Sequence, residues 1–423
     1  MKKKITALIV SITIALTLTA CKNEKAPENE PVENQPPDRV MQIAKTPDKD
    51  LTIWEVLPEI PVTPAADLEY HLLADESGVK VTDYLGTGNA VRVPETIDGK
   101  PVVEVSFVEL QAEEVIFPRS AKSCTLYYSP VKYINIPCDD MSISGEYALE
   151  KVYIEDNVTV LSNYLLAFQH SLEQVRMGSG VKVIDDNAFQ ACEALKTIEI
   201  PEGVEYIGDA FRSTMFTELT LPSSLVGLHK DAFVWTSKDI VIVHNGKSYS
   251  RYDDELFRQF YPNDLLIYNN IVRDCWDTSG EITVPDGVTE IGDYSLAFQK
   301  EITKITLPSS VRVINDGAFN GCEKLTEIVI PEGVEELGAL IFDGCKSLKK
   351  IDLPDSVSSI DGMAFADINR KEEEQFKDFE VTYNGVTYSS SKDEIIELYR
   401  LFYKNPWDNI DNIPINSNIS AET

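Results

Sequence analysis

The sequence predicts an α+β repeat fold: a solenoid of short stacked β-strands in two segments, each closed by a hairpin and a helix. Three observations predict it. A unit of about 23 residues recurs, and its cleanest copies place Pro285, Pro308, Pro331 and Pro354 at intervals of 23. Each unit reads apolar-x-apolar-Pro, a turn with Gly or Ser, Val, Ile or Leu, then Ala-Phe. Twice the period is broken by Asn-Gly between alternating apolar residues. A fixed period of this length means rungs that bury their apolar side only by stacking.

The strand-plus-proline element appears at Val91–Pro94, Val115–Pro118, Ile134–Pro137, Ile198–Pro201 and Leu219–Pro222. It returns at Ile282–Pro285, Ile305–Pro308, Ile328–Pro331 and Ile351–Pro354, and lacks its proline at Val152–Ile154 and Val175–Met177. Alternation gives a short strand with one buried face, and proline ends it because it cannot donate to the ladder. Glu202-Gly203, Asp286-Gly287 and Glu332-Gly333 fit a tight turn with positive φ at glycine, after which Val204, Val288 and Val334 return to the core. A second apolar pair leads to Ala188-Phe189, Ala210-Phe211, Ala232-Phe233, Ala297-Phe298, Ala318-Phe319 and Ala364-Phe365, the aromatic being expected to fill each rung. Asp185, Asp209, Asp231, Asp293, Asp316 and Asp361 recur just before these pairs. They read as turn residues whose carboxylates accept backbone N–H groups rather than as a metal ladder.

The two breaks are Val241–Tyr249 and Glu380–Tyr388, each a hairpin by its Asn-Gly. A short helix follows each. Leu256, Phe257 and Phe260 share a face in the first; Ile395, Tyr399 and Phe402 do so in the second, where Ser391 and Glu394 form a capping-box pattern. Leu265-Leu266-Ile267 then restarts the stack.

These units resemble the bacterial surface-antigen (BspA-like) class of leucine-rich repeat. The rungs that carry the likeness span roughly residues 85–235 and 280–366, and Val91–Val102 resembles that family's opening rung. The copies between Phe107 and Asn163 are irregular. The resemblance implies a bacterial cell-surface location and a role in interaction, with partners that vary among members.

The start of the chain points the same way. Lys2–Lys4 form a basic region, Ile5–Leu18 is apolar, and Leu18-Thr19-Ala20-Cys21 resembles the lipobox of bacterial lipoproteins. That likeness implies cleavage before Cys21 and a covalent diacylglycerol lipid, including palmitate-type chains, on its thiol. Residues 22 to about 50 hold Pro27, Pro31, Pro36, Pro37 and Pro47 among polar residues and read as an extended tether. The expected organisation is a signal peptide over 1–20, lipidated Cys21 and tether over 21–50, a first repeat segment with its cap over 51–270, a second over 271–405, and a tail over 406–423.

The 423 residues carry a net charge of −32. This disfavours nucleic acid and anionic lipid as partners, so contact with membrane is expected through the lipid alone. Cys192, Cys322 and Cys345 each lie a few residues after an aromatic and three before a Leu, as small buried thiols would in a stacked core; a disulfide between neighbours is the alternative. The four histidines, His71, His170, His229 and His244, match no metal spacing, and no nucleophile, zinc or phosphate-loop motif occurs. No metal, no cofactor beyond the lipid and no catalysis are expected. Trp235, Trp276, Tyr127, Tyr128 and Tyr133 are candidate ligand contacts, because aromatics outside a core stack on sugars or anchor interfaces; packing within cap and rungs is the alternative reading. The expected function is a lipid-anchored, extracytoplasmic surface protein that binds protein or glycan, adhesin-like. An envelope scaffold that binds the cell's own components is the alternative, and a two-carboxylate envelope hydrolase the remote third.

Overall fold

A computed structural model describes residues 60–145, 148–361, 363–365, 380–389, 394, 397–399 and 401–402. Residues 1–59, over which the signal, lipobox and tether are expected, and the expected tail lie outside the described residues, as do Ser391 and Ile395.

Within that range the chain is a stack of rungs with strands on two faces. On one face five strands run parallel in the order Gln174–Arg176, Lys151–Ile154, Tyr133–Ile136, Glu114–Ile116, Ala90–Arg92. The opposite face of these early rungs carries Lys100–Val108, Ser123–Tyr127 and Asp140–Ser144, which extend an antiparallel hairpin of Leu68–Leu72 and Val79–Tyr84. The irregular spacing between Phe107 and Asn163 has its cause here. The circuits through Ser123–Tyr127 and Asp140–Ser144 have a full strand on each face and take 19 and 18 residues, from Ile116 to Asn135 and from Asn135 to Tyr153, fewer than rungs that turn through Ala-Phe. From residue 160 the opposite face narrows to two-residue strands: Val160–Leu161, Val183–Ile184, Tyr206–Ile207 and Gly227–Leu228.

The second segment repeats the plan. It opens on an antiparallel hairpin of Leu265–Tyr268 and Ile271–Cys275, whose tip Asn269-Asn270 has φ of 52° and 61°. Two-residue strands Glu290–Ile291, Val313–Ile314, Glu336–Leu337 and Ser359–Ile360 continue that sheet. Each segment has its own apolar cluster, and the 265–275 hairpin serves both: Leu266 and Tyr268 pack into the first, Leu265 and Val272 into the second. Tyr268 stacks on Tyr206 at 5.0 Å, and Lys230 Nζ meets Asp274 Oδ1 at 2.5 Å.

Each segment ends in the hairpin that the sequence predicts. Val241–His244 pairs antiparallel with Lys247–Tyr249, and Glu380–Tyr383 with Val386–Ser389. The helix Asp254–Arg258 buries Leu256 and Phe257 and is N-capped by Asp253; Phe260, just past it, is also buried. In the second cap Tyr399 is fully buried and Phe402 packs against the same core, while Glu394 accepts the Ser389 N–H at 2.6 Å.

The turns explain why the repeat alternates Gly and Ser. After each proline the chain reverses through a bond from the N–H three residues on to the proline carbonyl, at Val204, Leu225, Val288, Val311, Val334 and Val357. In the Gly rungs, Gly203, Gly287 and Gly333 have φ of 109°, 90° and 104°, which only glycine adopts without strain. Their N–H groups donate to Ser224, Ser310 and Ser356 of the next rung, and those hydroxyls donate to the carbonyls of Val204, Val288 and Val334. One serine thus satisfies a donor and an acceptor of its neighbour.

The aromatic ladder holds with one correction. Phe189, Phe211 and Phe233 stack at 5.6 and 6.1 Å, and Phe319, Phe342 and Phe365 at 5.6 and 6.3 Å. Phe298 does not join them. It is 50% exposed with φ 62°, and fully buried Leu296 donates its N–H to Ala318 O as Phe319 does to Ile341 O. Leu296 therefore fills the aromatic slot. Phe298 stands two residues later, where other rungs place Gly321 or Ala191, also with positive φ.

Two further expectations change. Ile198–Ile200 is buried in place but makes no ladder; the proline spacing drops to 21 at this point, from Pro201 to Pro222, and the face is interrupted between Arg176 and Glu218. Of the aspartates expected before these pairs, Asp293 accepts the Asp316 N–H and Asp316 the Ala339 N–H of the next rung, while in the first copy Asp186, not Asp185, takes the Asp209 N–H. The thiols of Cys192, Cys322 and Cys345 are free, buried, and donate to the carbonyls of Leu166, Leu296 and Phe319 one rung earlier.

Candidate binding groove

On the five-strand parallel face, every strand reads apolar-x-apolar, so its middle residue faces away from the core. In register these outward residues are Arg92 beside Ile116, and Asn135 beside Tyr153 beside Arg176. On the other strands of the same type the outward residues are Thr220, Thr283, Thr306, Val329, Asp352 and Thr382. Only the first five strands present arginine and tyrosine.

A cavity of about 520 Å³ opens over this row, within the range that holds a small ligand. Arg92, Ile116, Asn135, Tyr153 and Arg176 form its floor, and Pro94, Glu95, Phe117, Arg119 and Glu155 its flank. Val62 supplies a further wall, and its neighbours are tied to the floor. Thr63 exchanges hydrogen bonds with the Arg92 backbone, and the Arg92 guanidinium donates to Ile60 O at 3.2 Å.

A buried polar relay fixes the flank. Asn135 is 2% exposed, and its amide brackets Phe117: Oδ1 accepts the Phe117 N–H at 2.7 Å and Nδ2 donates to Phe117 O at 3.0 Å. Nδ2 also reaches Glu155 Oε1 at 3.2 Å. Glu155, 6% exposed, pairs through Oε2 with Arg119 at 3.0 Å, whose side chain is 71% exposed. Glu95 accepts the backbone N–H groups of Arg119 and Ser120, setting the turn that carries Arg119. The Arg176 guanidinium lies 5.6 Å from the Tyr153 ring centre. Burial and the Glu155 charge hold the Tyr153 hydroxyl above its usual pKa, so it stays a neutral donor. Three guanidiniums against two carboxylates make the lining net positive on a chain of −32.

The five aromatics singled out from sequence do not line this cavity. Tyr127 ends a strand of the other face and bonds Ser142; Tyr128 beside it is 62% exposed. Tyr133 starts a strand of the groove sheet but turns its hydroxyl to Glu150. Trp235 is half exposed with Arg212 over its ring at 5.2 Å. Trp276 is packed between Tyr261 and Arg258, at 5.2 and 4.2 Å. The groove residues were missed because each hides in the x position of a strand motif. The available signal was the change of that position from Thr and Asp to Arg and Tyr.

The profile of the BspA type leucine rich repeat region matches residues 120–240 and 266–383, in 6 copies and over more than half of the chain. The chain belongs to this family. Solved structures are similar in fold. A T. pallidum leucine rich repeat protein is 22% identical, covering 68% of this chain and 91% of its own, with a TM-score of 0.24. A leucine rich cell surface protein from Faecalibacterium prausnitzii is 18% identical over 79% and 96%, with a TM-score of 0.30. The pneumococcal vaccine antigen PcpA is 18% identical over 71% and 77%, with a TM-score of 0.29. No curated protein matches the sequence. Among the described residues no helix of this BspA-type chain is long and apolar enough to cross a membrane.

Proposed function

We propose that this BspA-type repeat protein is an extracytoplasmic, lipid-anchored binding protein of the bacterial cell surface, adhesin-like and without catalysis, that takes a protein or glycan ligand. The observation that carries the reading is the groove: a cavity of ligand size, lined by arginine and tyrosine, on an otherwise acidic chain. The Leu18-Thr19-Ala20-Cys21 sequence supports anchoring through a diacylglyceryl group on Cys21, and two or more acyl chains hold far more firmly than one. The description of a relative as a cell surface protein agrees with that location. Binding is through exposed side chains. The three inner strands under the groove are paired on both sides, and Ala90–Arg92 and Gln174–Arg176 are the end strands of that sheet.

The test has two parts. Mass spectrometry of the protein expressed in a bacterial host, with Cys21→Ala beside it, should find a lipidated N-terminal Cys21 in the first alone; an unmodified wild type removes the anchor from the proposal. The full chain in detergent is then presented to arrays of glycans and extracellular-matrix proteins. A saturable hit is expected. Selective capture of the cell's own envelope components, with no array hit, would favour the scaffold reading instead.

A further inference from the structure

We infer that the groove is a subsite for a carboxylated sugar within an acidic oligosaccharide. The inference rests on the surface-binding reading and names its ligand class. The lining pairs two kinds of group that a neutral apolar ligand would leave unused. Arg119 and Arg176 present exposed guanidiniums, whose planar fork matches a carboxylate in a bidentate pair. Glu95 and Glu155 offer acceptors to hydroxyl hydrogens, and Glu155 is held in place by Asn135 and Arg119 rather than left to swing. Between them stand half-buried Tyr153, Ile116 and Pro94, an apolar floor suited to the C–H face of a pyranose ring.

The geometry also limits what the ligand can be. A volume of about 520 Å³ admits two or three sugar rings, not a folded domain. The main-chain groups of the three inner floor strands are spent in the ladder, so recognition there falls to side chains that read hydroxyls and a carboxylate. The setting adds selectivity. With a net charge of −32 the chain repels a polyanion over most of its surface, and an acidic glycan is held only where guanidiniums converge. In the second segment the equivalent outward positions are Thr283, Thr306, Val329, Asp352 and Thr382, which supply no cation.

The experiment is calorimetric titration of the full chain in detergent with trigalacturonate and with sialyllactose, each beside a neutral counterpart, carboxyl-reduced trigalacturonate and lactose. At least one acidic sugar should bind saturably, and its neutral counterpart at least tenfold more weakly. Arg176→Ala should weaken the acidic sugar about tenfold, and Arg176→Lys should restore part of it. Arg176 is exposed, so circular dichroism and the melting temperature of both variants should match wild type. Tyr153→Leu, which keeps the floor apolar but removes the ring, gives a second reading and should weaken binding several-fold. Equal affinity for acidic and neutral sugars, no binding of either acid, or indifference to both Arg176→Ala and Tyr153→Leu would overturn the assignment. A protein or neutral glycan that instead binds at the groove would overturn it while leaving the surface-binding reading standing.

Discussion

Two copies of one sequence motif, Ala297-Phe298 and Ala318-Phe319, are placed in opposite environments, and alanine substitutions at the two phenylalanines measure the difference. Phe319 is fully buried and stacks on Phe342 at 5.6 Å and 25°. A buried phenylalanine removes on the order of 150–250 Å² from water, and truncation in a packed core costs about 3–5 kcal/mol. Solenoid rungs are supported only by their neighbours, so the cavity cannot be filled from elsewhere. Phe319→Ala should therefore lose roughly 4 kcal/mol. Phe298 is 50% exposed and rests its ring against Gly321. Phe298→Ala forfeits only that contact, about 1 kcal/mol. Phe298→Gly should cost less still, because φ of 62° strains any residue with a Cβ by roughly 1–2 kcal/mol. Urea unfolding of the full chain, followed by circular dichroism and fluorescence, compares the three. Equal losses at Phe298 and Phe319, or a Phe298→Gly variant clearly weaker than Phe298→Ala, would refute the assignment of Leu296 to the aromatic slot.

Other consequences are open to direct measurement. Ser310→Ala removes the bridge between Gly287 N–H and Val288 O and should cost about 1–2 kcal/mol, whereas Ser310→Thr should retain most of it; denaturation midpoints decide. Asp209 is buried, and that burial raises its carboxyl to about 7 despite the Arg212 partner. A folded pKa above the unfolded one means stability fully present below about pH 4 and lost as pH rises through about 7. The melting temperature of Asp209→Asn should therefore gain on wild type between pH 5 and pH 8; a constant difference would contradict this. Burial pushes the thiols of Cys192 and Cys322 up to about 12, so they should resist a thiol reagent until the chain unfolds, and labelling at neutral pH in the native state would count against their placement. Asn135→Ala leaves the Phe117 N–H and carbonyl without their side-chain partner, removes one of the bonds to Glu155, and should cost about 2–3 kcal/mol, read from the urea midpoint.

Much of the fold is legible in the sequence because the repeat is carried by a few residue types with fixed physical duties. Proline ends the strand, glycine takes the left-handed turn, and valine returns to the core. The hairpins declare themselves by Asn-Gly, as at Asn245-Gly246 and Asn384-Gly385, all four with positive φ. What the pattern hides is which of two adjacent apolar residues turns inward. Leu296 and Phe298 are both good core residues, and only the stacking of the neighbouring rung selects Leu296. The strand expected at Ile198–Ile200 fails for a similar reason: its composition is right, but pairing depends on rung length on both sides. The groove was least legible. Its floor residues lie 18 to 24 positions apart in sequence and become neighbours only through the strand register. The exposed aromatics that attract attention in the sequence, Tyr128 and Trp235, lie apart from it, and Trp276 is taken up by packing at the first cap.

The central claim is that the face formed by strands 90–176 is the binding surface. Its most direct test is to run wild type and Arg176→Ala side by side, as full chains in detergent, on arrays of glycans and extracellular-matrix proteins. The account predicts at least one saturable ligand whose signal falls about tenfold in the variant while its melting temperature is unchanged. A wild-type hit that the variant binds equally well, or no saturable hit at all, would contradict it.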